Sequence, residues 1–384
     1  MDITIQPGKL RGTVAAIPSK SQAHRYLICA ALGSRPVTLI CPDTNRDIEA
    51  TVDCLNALGA DIRRTEAGYR VCPIQAVPET AVLNCCESGS TLRFLLPIAG
   101  ALGVDATFQM EGRLPSRPLS PLWEEMERMG CTLTRPTETT LRCLGKLRQG
   151  EYRIDGSVSS QFITGLHFAL PLVGGSALDV TGKLESKPYI DMTLQAIDLF
   201  GHTPESVTVE GDWSNGAFWL AAQTLGSELE VMNLAADSPQ GDRAVVDILV
   251  QLAEGCPTVS AADIPDLVPI LSVVAAAKNG AVFTDIQRLR LKESDRVAST
   301  VALIRCLGGK AEADEGTLTV HPAPLFGGTV DSFHDHRIAM AAAIAATVCS
   351  APVTILGAEA VTKSYPLFWE EFHRLGGNYE LYLR

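Results

Sequence analysis

The 384-residue sequence has no surplus of positive charge: 32 Lys and Arg stand against 44 Asp and Glu, a formal net charge of −12. Binding to nucleic acid or an anionic membrane through the overall field wants the opposite balance. Any anion site must therefore be a local cationic pocket in an acidic protein. Cysteine is present, at 11 residues, but without a CxxC pair or metal-finger spacing. Most lie in apolar runs (Cys29, Cys54, Cys306, Cys349), which points to reduced, buried thiols in a reducing compartment. Adjacent Cys85 and Cys86 read as the end of a strand rather than a redox pair. The opening MDITIQPGKLRG lacks the apolar core of a signal peptide, and no apolar run approaches the length of a membrane span. A cytoplasmic location is expected. His334-Asp335-His336 is the one grouping that hints at a metal, and it has no identifiable third or fourth ligand. No metal and no other cofactor is expected.

What is present is a well-packed composition, 46% hydrophobic and 20% charged, in a chain long enough for two cores. An amphipathic segment that ends in Gly recurs six times, beginning at Asp47, Leu119, Pro188, Arg243, Arg296 and Tyr365. Each has an apolar stripe at helical spacing, a Gly placed to terminate the helix, and a short strand-like run after it. Ahead of each lies a nearly all-apolar segment, such as SGSTLRFLLPIAGALG from Ser88 or HDHRIAMAAAIAATV from His334. A helix apolar all round is buried on every side. The repeat is thus strand, buried helix, strand, amphipathic helix and closing strands, over about 50–70 residues. Six copies imply an α/β protein of two domains with three repeats each, the chain crossing between them near Pro18 and near Glu210-Gly211.

The helix starts carry the functional signal. In Gln287–Gly309, QRLRLKESDRVASTVALIRCLGG, cations Arg288, Arg290 and Lys292 lead into a helix that opens near Arg296. A helix N-terminus favours anions, so cations placed there point to an anion held between them. The buried helices open in the same way, with Ser19-Lys20-Ser21 to Arg25, Ser88 to Arg93, Ser159-Ser160-Gln161, Ser214-Asn215, Asp266, and Asp335-His336-Arg337. If the helices of a domain run parallel, these starts gather at one face.

Taken in order, SKSQAHR (19–25), ESGSTLRF (87–94), GRLPSRP (112–118), GSVSSQF (156–162), SKPYIDMTL (186–194), VEGDWSNGAFWLAA (209–222), IPD (264–266), RLKESDR (290–296), DHRIAM (335–340) and TKSYPLF (362–368) closely resemble the enolpyruvyl transferase superfamily, in the branch that acts on shikimate 3-phosphate. The resemblance runs over essentially the whole chain. It implies a two-domain inside-out α/β barrel, each domain made of three βαβαββ repeats around buried parallel helices. One domain would combine residues 1–18 and 211–384, the other would be residues 19–210, and the active site would lie in the cleft between them. The implied reaction moves the enolpyruvyl group of phosphoenolpyruvate to the 5-hydroxyl of shikimate 3-phosphate through a tetrahedral ketal, releasing phosphate. No metal is implied, because Lys and Arg can hold both phosphates.

By the same resemblance, phosphoenolpyruvate would meet Lys20, Gly89, Arg93, Arg117, Arg296, Arg337 and Lys363, with Gln161 between the two substrates. Arg suits bidentate clamping, and Lys20 is a point charge that could also deliver a proton. Shikimate 3-phosphate would meet Ser21 and Arg25 on its ring side, Ser159, Ser160, Ser186 and Lys292 around its phosphate, and Tyr189 near the ring. Asp266 would be the base on the 5-hydroxyl and Glu293 the acid for the methylene carbon. Each has a plainer reading: Ser159-Ser160 as a helix cap, Asp266 as a turn residue after Ile-Pro, Glu293 as the surface partner of Lys292. Asp335 and His336 are expected to orient Arg337.

Glu87 and Arg288 stand where many members of the superfamily carry Asn. The sister branch that uses UDP-N-acetylglucosamine usually has a reactive Cys in the loop here written MEGRLPSRP (110–118), which contains none. A non-catalytic relative would be expected to lose Lys20, Asp266, Glu293 or Arg337, all of which are present. The resemblance further implies closure of the domains on shikimate 3-phosphate, glyphosate binding at the phosphoenolpyruvate site beside Gly89, and function as a monomer.

Overall fold

The computed structural model describes residues 1–382. The chain divides into two compact units, Pro18–Val209 and Met1–Ile17 with Glu210–Arg384. Each has its own apolar core.

In the first unit the helices are α1 (Lys20–Ala31), α2 (Arg46–Ala57), α3 (Gly89–Leu102), α4 (Leu122–Arg128), α5 (Ser160–Val173) and α6 (Lys187–Gly201). The apolar α3 is buried from Thr91 to Ala101, and α5 lies directly against it. Gly165 of α5 permits this: a Cβ there would overlap the Arg93 carbonyl and come 2.8 Å from Pro97 Cγ. The amphipathic α2 buries Ile48, Thr51, Val52 and Leu55 along one face and caps its start with Asn45. Three sheets surround these helices. Strand Val37–Ile40 runs parallel to Ser206–Thr208 and antiparallel to Gly68–Cys72, which pairs with Asp61–Thr65. Strand Asp105–Gln109 has the same neighbours in kind: Thr80–Asn84 in parallel, then Thr140–Gly145 and Cys131–Thr137 antiparallel. The third is a parallel pair, Glu151–Asp155 with Ala177–Thr181.

The second unit repeats the scheme with α7 (Trp213–Thr224), α8 (Val245–Glu254), α9 (Val268–Ala277), α10 (Arg296–Cys306), α11 (His336–Ala345) and α12 (Phe368–Arg374). All ten residues of α11 are buried, against α9 and α7. Its sheets are Gly328–Asp331, Val353–Leu356, Asp2–Ile5 and Tyr379–Tyr382; Thr258–Ser260, Ala281–Thr284, Thr317–His321 and Lys310–Ala313; and the parallel pair Arg11–Ala15 with Glu228–Met232. The N-terminal strand therefore belongs to the unit built from the C-terminal half. Among the described residues, the closing antiparallel pair of the repeat is complete in four of the six sheets, and the other two keep only the parallel pair.

The helix ends differ from expectation in two places. Glycines 59, 130, 308 and 376 end their amphipathic helices with positive φ, as the left-handed cap needs. Gly255 after α8 is instead extended (φ −171), and after α6 the left-handed residue is Thr203 (φ 50).

Candidate active site

In the first unit, Ser19, Ser88 and Ser159 cap α1, α3 and α5 by accepting from the backbone N–H of Gln22, Thr91 and Gln161. None of the three helices has an acidic residue in its first turn. Hydrogen bonds tie these starts together. His24 Nδ1 meets Thr51 Oγ1 at 2.7 Å, Thr51 meets Thr91 at 2.7 Å, and Thr91 donates to Ser88 Oγ at 2.7 Å, a buried polar chain through α1, α2 and α3. Burial first of all pushes the His24 imidazolium down to about 3, so the ring is neutral. Gln161 of α5 accepts from Arg93 Nη1 (2.8 Å) and donates to Ser90 (3.0 Å), joining the starts of α3 and α5.

Cations sit at these joined ends. Lys20 pairs with Asp47 of α2 at 2.9 Å. Arg93 and Arg117 flank Gly89, where a Cβ would lie 3.1 Å from the Nη1 of Arg93 and 2.8 Å from that of Arg117. Glu87, just ahead, occupies the space in which a side chain at Gly112 would have to sit, and Gly112 has φ +55; only glycine suits both demands. Buried Arg25 donates to the Ser21 carbonyl (2.6 Å), the Tyr189 carbonyl (2.8 Å) and Thr193 Oγ1 (2.9 Å), with its guanidinium over the Phe94 and Tyr189 rings. It bolts α1 to α6, with two of its five N–H groups outside these bonds. Ser160 and Ser186 are buried at the starts of α5 and α6, Ser186 in the left-handed region at φ 55.

The second unit gathers the remaining candidates. Arg296, 1% exposed at the start of α10, is held by three carboxylates. Its Nε donates to Asp335 at 2.8 Å, its Nη2 to Glu293 at 2.7 Å and its Nη1 to Asp266. Lys292 Nζ and Arg337 Nη2 each lie 3.6 Å from Asp266, and Lys363 lies 3.9 Å from Glu293. Four cations thus interleave with three carboxylates. Burial alone would raise the Asp266 carboxyl, but Lys292, Arg296 and Arg337 outweigh it and hold it well below the usual carboxylate range. Burial pushes Lys292 down to about 8 against the pull of Asp266. Arg288 lies in the same turn, Gln287–Leu291, as part of the local positive field that lowers Lys292.

Sequence reasoning places Asp335 behind Arg337. The structure shows that its carboxylate caps the Arg337 backbone N–H at 2.9 Å but spends its main contacts on Arg296 and Ser294. The Arg337 guanidinium is oriented from α7 instead, donating from Nη1 to the Ser214 carbonyl (2.8 Å) and toward Asn215 Oδ1 (3.3 Å). The sequence does not point to Asp47: an acid in the first turn of a helix is ordinary, and its partner Lys20 lies 27 residues away. Among the described residues no group of three His, Cys, Asp or Glu is arranged to hold a metal. No helix among them is long and apolar enough to cross a membrane.

The family model described as EPSP synthase (3-phosphoshikimate 1-carboxyvinyltransferase) matches residues 5–258 and 253–372. The chain belongs to the EPSP synthase family. The relative named 3-phosphoshikimate 1-carboxyvinyltransferase from Clostridium kluyveri is 39% identical, over 98% of this chain and 97% of that protein. The one so named from Clostridium novyi is 36% identical, over 98% of each. An EPSP synthase structure from Acinetobacter baumannii superposes with a TM-score of 0.79 at 20% identity, covering both chains in full, and so shares the EPSP synthase fold. The family match covers most of both units.

Proposed function

We propose that this chain is the transferase its relatives are named for, moving the enolpyruvyl group of phosphoenolpyruvate to the 5-hydroxyl of shikimate 3-phosphate. The observation that supports this most strongly is the lattice of Arg296, Arg337, Lys292 and Lys363 with Asp266, Glu293 and Asp335, in a chain 39% identical to such an enzyme. These four cations are paired with three acids of the protein's own. A substrate carboxylate or phosphate offers them a stronger partner. As Arg296, Arg337 and Lys292 turn to the substrates, Asp266 loses the charges that depress it and becomes more basic.

In this reading Asp266 takes the proton of the 5-hydroxyl, whose oxygen bonds to C2 of phosphoenolpyruvate, while Glu293 protonates the methylene carbon to a methyl group. Glu293 takes back a methyl proton from the resulting ketal as the C2–O bond to phosphate breaks, and the proton gained by Asp266 leaves with the phosphate, which restores the double bond and the starting charge of both residues. Arg337 and Arg296 hold the phosphoenolpyruvate carboxylate; Lys20, Arg93, Arg117 and Lys363 face its phosphate beside Gly89, with Gln161 between the substrates. Ser21, Arg25, Ser159, Ser160, Ser186, Tyr189 and Lys292 hold shikimate 3-phosphate. Both groups come from one chain, so a monomer suffices. The 11 free thiols support a reducing, cytoplasmic setting. The test is phosphate release from phosphoenolpyruvate with each acceptor: shikimate 3-phosphate should support turnover and UDP-N-acetylglucosamine should not, and the reverse would overturn the assignment.

A further inference from the structure

One buried carboxyl group close to this lattice has no part in the reading above. Asp242 lies in the turn Gly241–Ala244 just ahead of α8 and is 1% exposed. Ser214 Oγ donates to its Oδ2, while its buried Oδ1 accepts from no described residue. A buried carboxylate ion ordinarily gathers several donors, and one hydroxyl is too few to hold the charge. The charged groups that face it are Asp266 ahead of α9, Arg337 on α11 and Asp212 at the cap of α7, two of them like-charged. Burial, then Asp266, push its carboxyl up to about 7, against the opposing pull of Ser214 and Arg337. The same Ser214 whose hydroxyl meets Asp242 gives its carbonyl to Arg337 Nη1 at 2.8 Å. Asp242 therefore stands one residue behind the arginine assigned to the phosphoenolpyruvate carboxylate.

We propose that Asp242 is a positioning residue that sets how much of the Arg337 charge reaches phosphoenolpyruvate: as a neutral carboxyl group it leaves that charge to the substrate, and as a carboxylate it competes for it. This rests on the assignment of Arg337 made above. The sign follows from the group's chemistry. Below about pH 7 Asp242 is neutral and phosphoenolpyruvate binds tightly; above it the ionised group weakens binding. Substrate binding in turn favours the protonated form, because linkage is reciprocal.

The test compares the wild-type enzyme with Asp242→Asn, which keeps the shape and removes the titration. In the wild type at saturating shikimate 3-phosphate, KM for phosphoenolpyruvate should rise roughly five- to tenfold from about pH 6 to about pH 8, the size expected for a charge one residue away at intermediate dielectric. In Asp242→Asn that rise should flatten while kcat stays within about twofold, a split that a purely structural defect would not give. An unchanged rise in the variant overturns the proposal. An Arg337→Gln enzyme with unaltered KM for phosphoenolpyruvate would instead sink the assignment on which it rests. Should Asp242→Asn fail to fold, the infrared spectrum of the wild-type enzyme decides: a protonated-carboxyl band present near pH 6 and lost through pH 7 supports the proposal, and its absence near pH 6 refutes it.

Discussion

Arg296 shows how this chain holds a buried charge. A guanidinium with 1% exposure would be costly alone, and here Asp266, Glu293 and Asp335 neutralise it. Two of those carboxylates are the proposed base and acid, so an arginine proposed to bind substrate is paired with both groups proposed to react. Asp266→Ala and Glu293→Ala should each lower kcat by about a hundredfold or more with the far-ultraviolet circular dichroism unchanged; turnover near wild type in either would remove its assigned role. Lys292 gives a pH prediction. It is cationic below about pH 8 and neutral above, so kcat/KM for shikimate 3-phosphate should fall as pH rises through 8. Arginine stays charged throughout that range, and Lys292→Arg should move the falling limb to higher pH; a limb that stays in place would mean another group titrates. Gly89→Ala puts a Cβ 2.8 Å from Arg117 and should raise KM for phosphoenolpyruvate more than it changes that for shikimate 3-phosphate.

The elements that present these residues depend on close helix contact. Gly165 lets α5 rest on the backbone of α3 at Arg93, so Gly165→Ala should cost about 1–3 kcal/mol of the stability read by denaturant unfolding. A neutral result would mean that the two helices can separate without loss. Much of this level was legible in the sequence. The six amphipathic and six apolar segments are all helices, because periodicity and the Ser, Asn and Asp caps are local properties. Cations at helix starts were visible for the same reason. The polar chain from His24 through Thr51 to Thr91 was not, since it joins residues on three helices and each residue alone looks like an ordinary core or cap side chain. Asp47 beside Lys20, and the true partner of Asp335, were hidden likewise by distance along the chain: 27 residues in one case and 39 in the other. Helix ends such as Gly255 escaped because a glycine can be extended as easily as left-handed.

At the scale of the molecule, an acidic chain of net charge −12 pairs cations with acids at helix starts in each of its two compact units, Lys20 with Asp47 in one and Arg296 with Asp266 in the other. If both act on one pair of substrates, shikimate 3-phosphate should draw the units together, and small-angle scattering should show a smaller radius of gyration at saturation; identical curves with and without it would count against that. The proposed function requires that the cationic lattice of the second unit receive phosphoenolpyruvate. The decisive measurement is the steady-state kinetics of Arg337→Gln beside its affinity for shikimate 3-phosphate alone. Loss of one charged, bidentate contact should raise KM for phosphoenolpyruvate roughly 30- to 100-fold and leave the shikimate 3-phosphate Kd within about twofold. An unchanged KM for phosphoenolpyruvate, or an equal loss for both substrates, would contradict it.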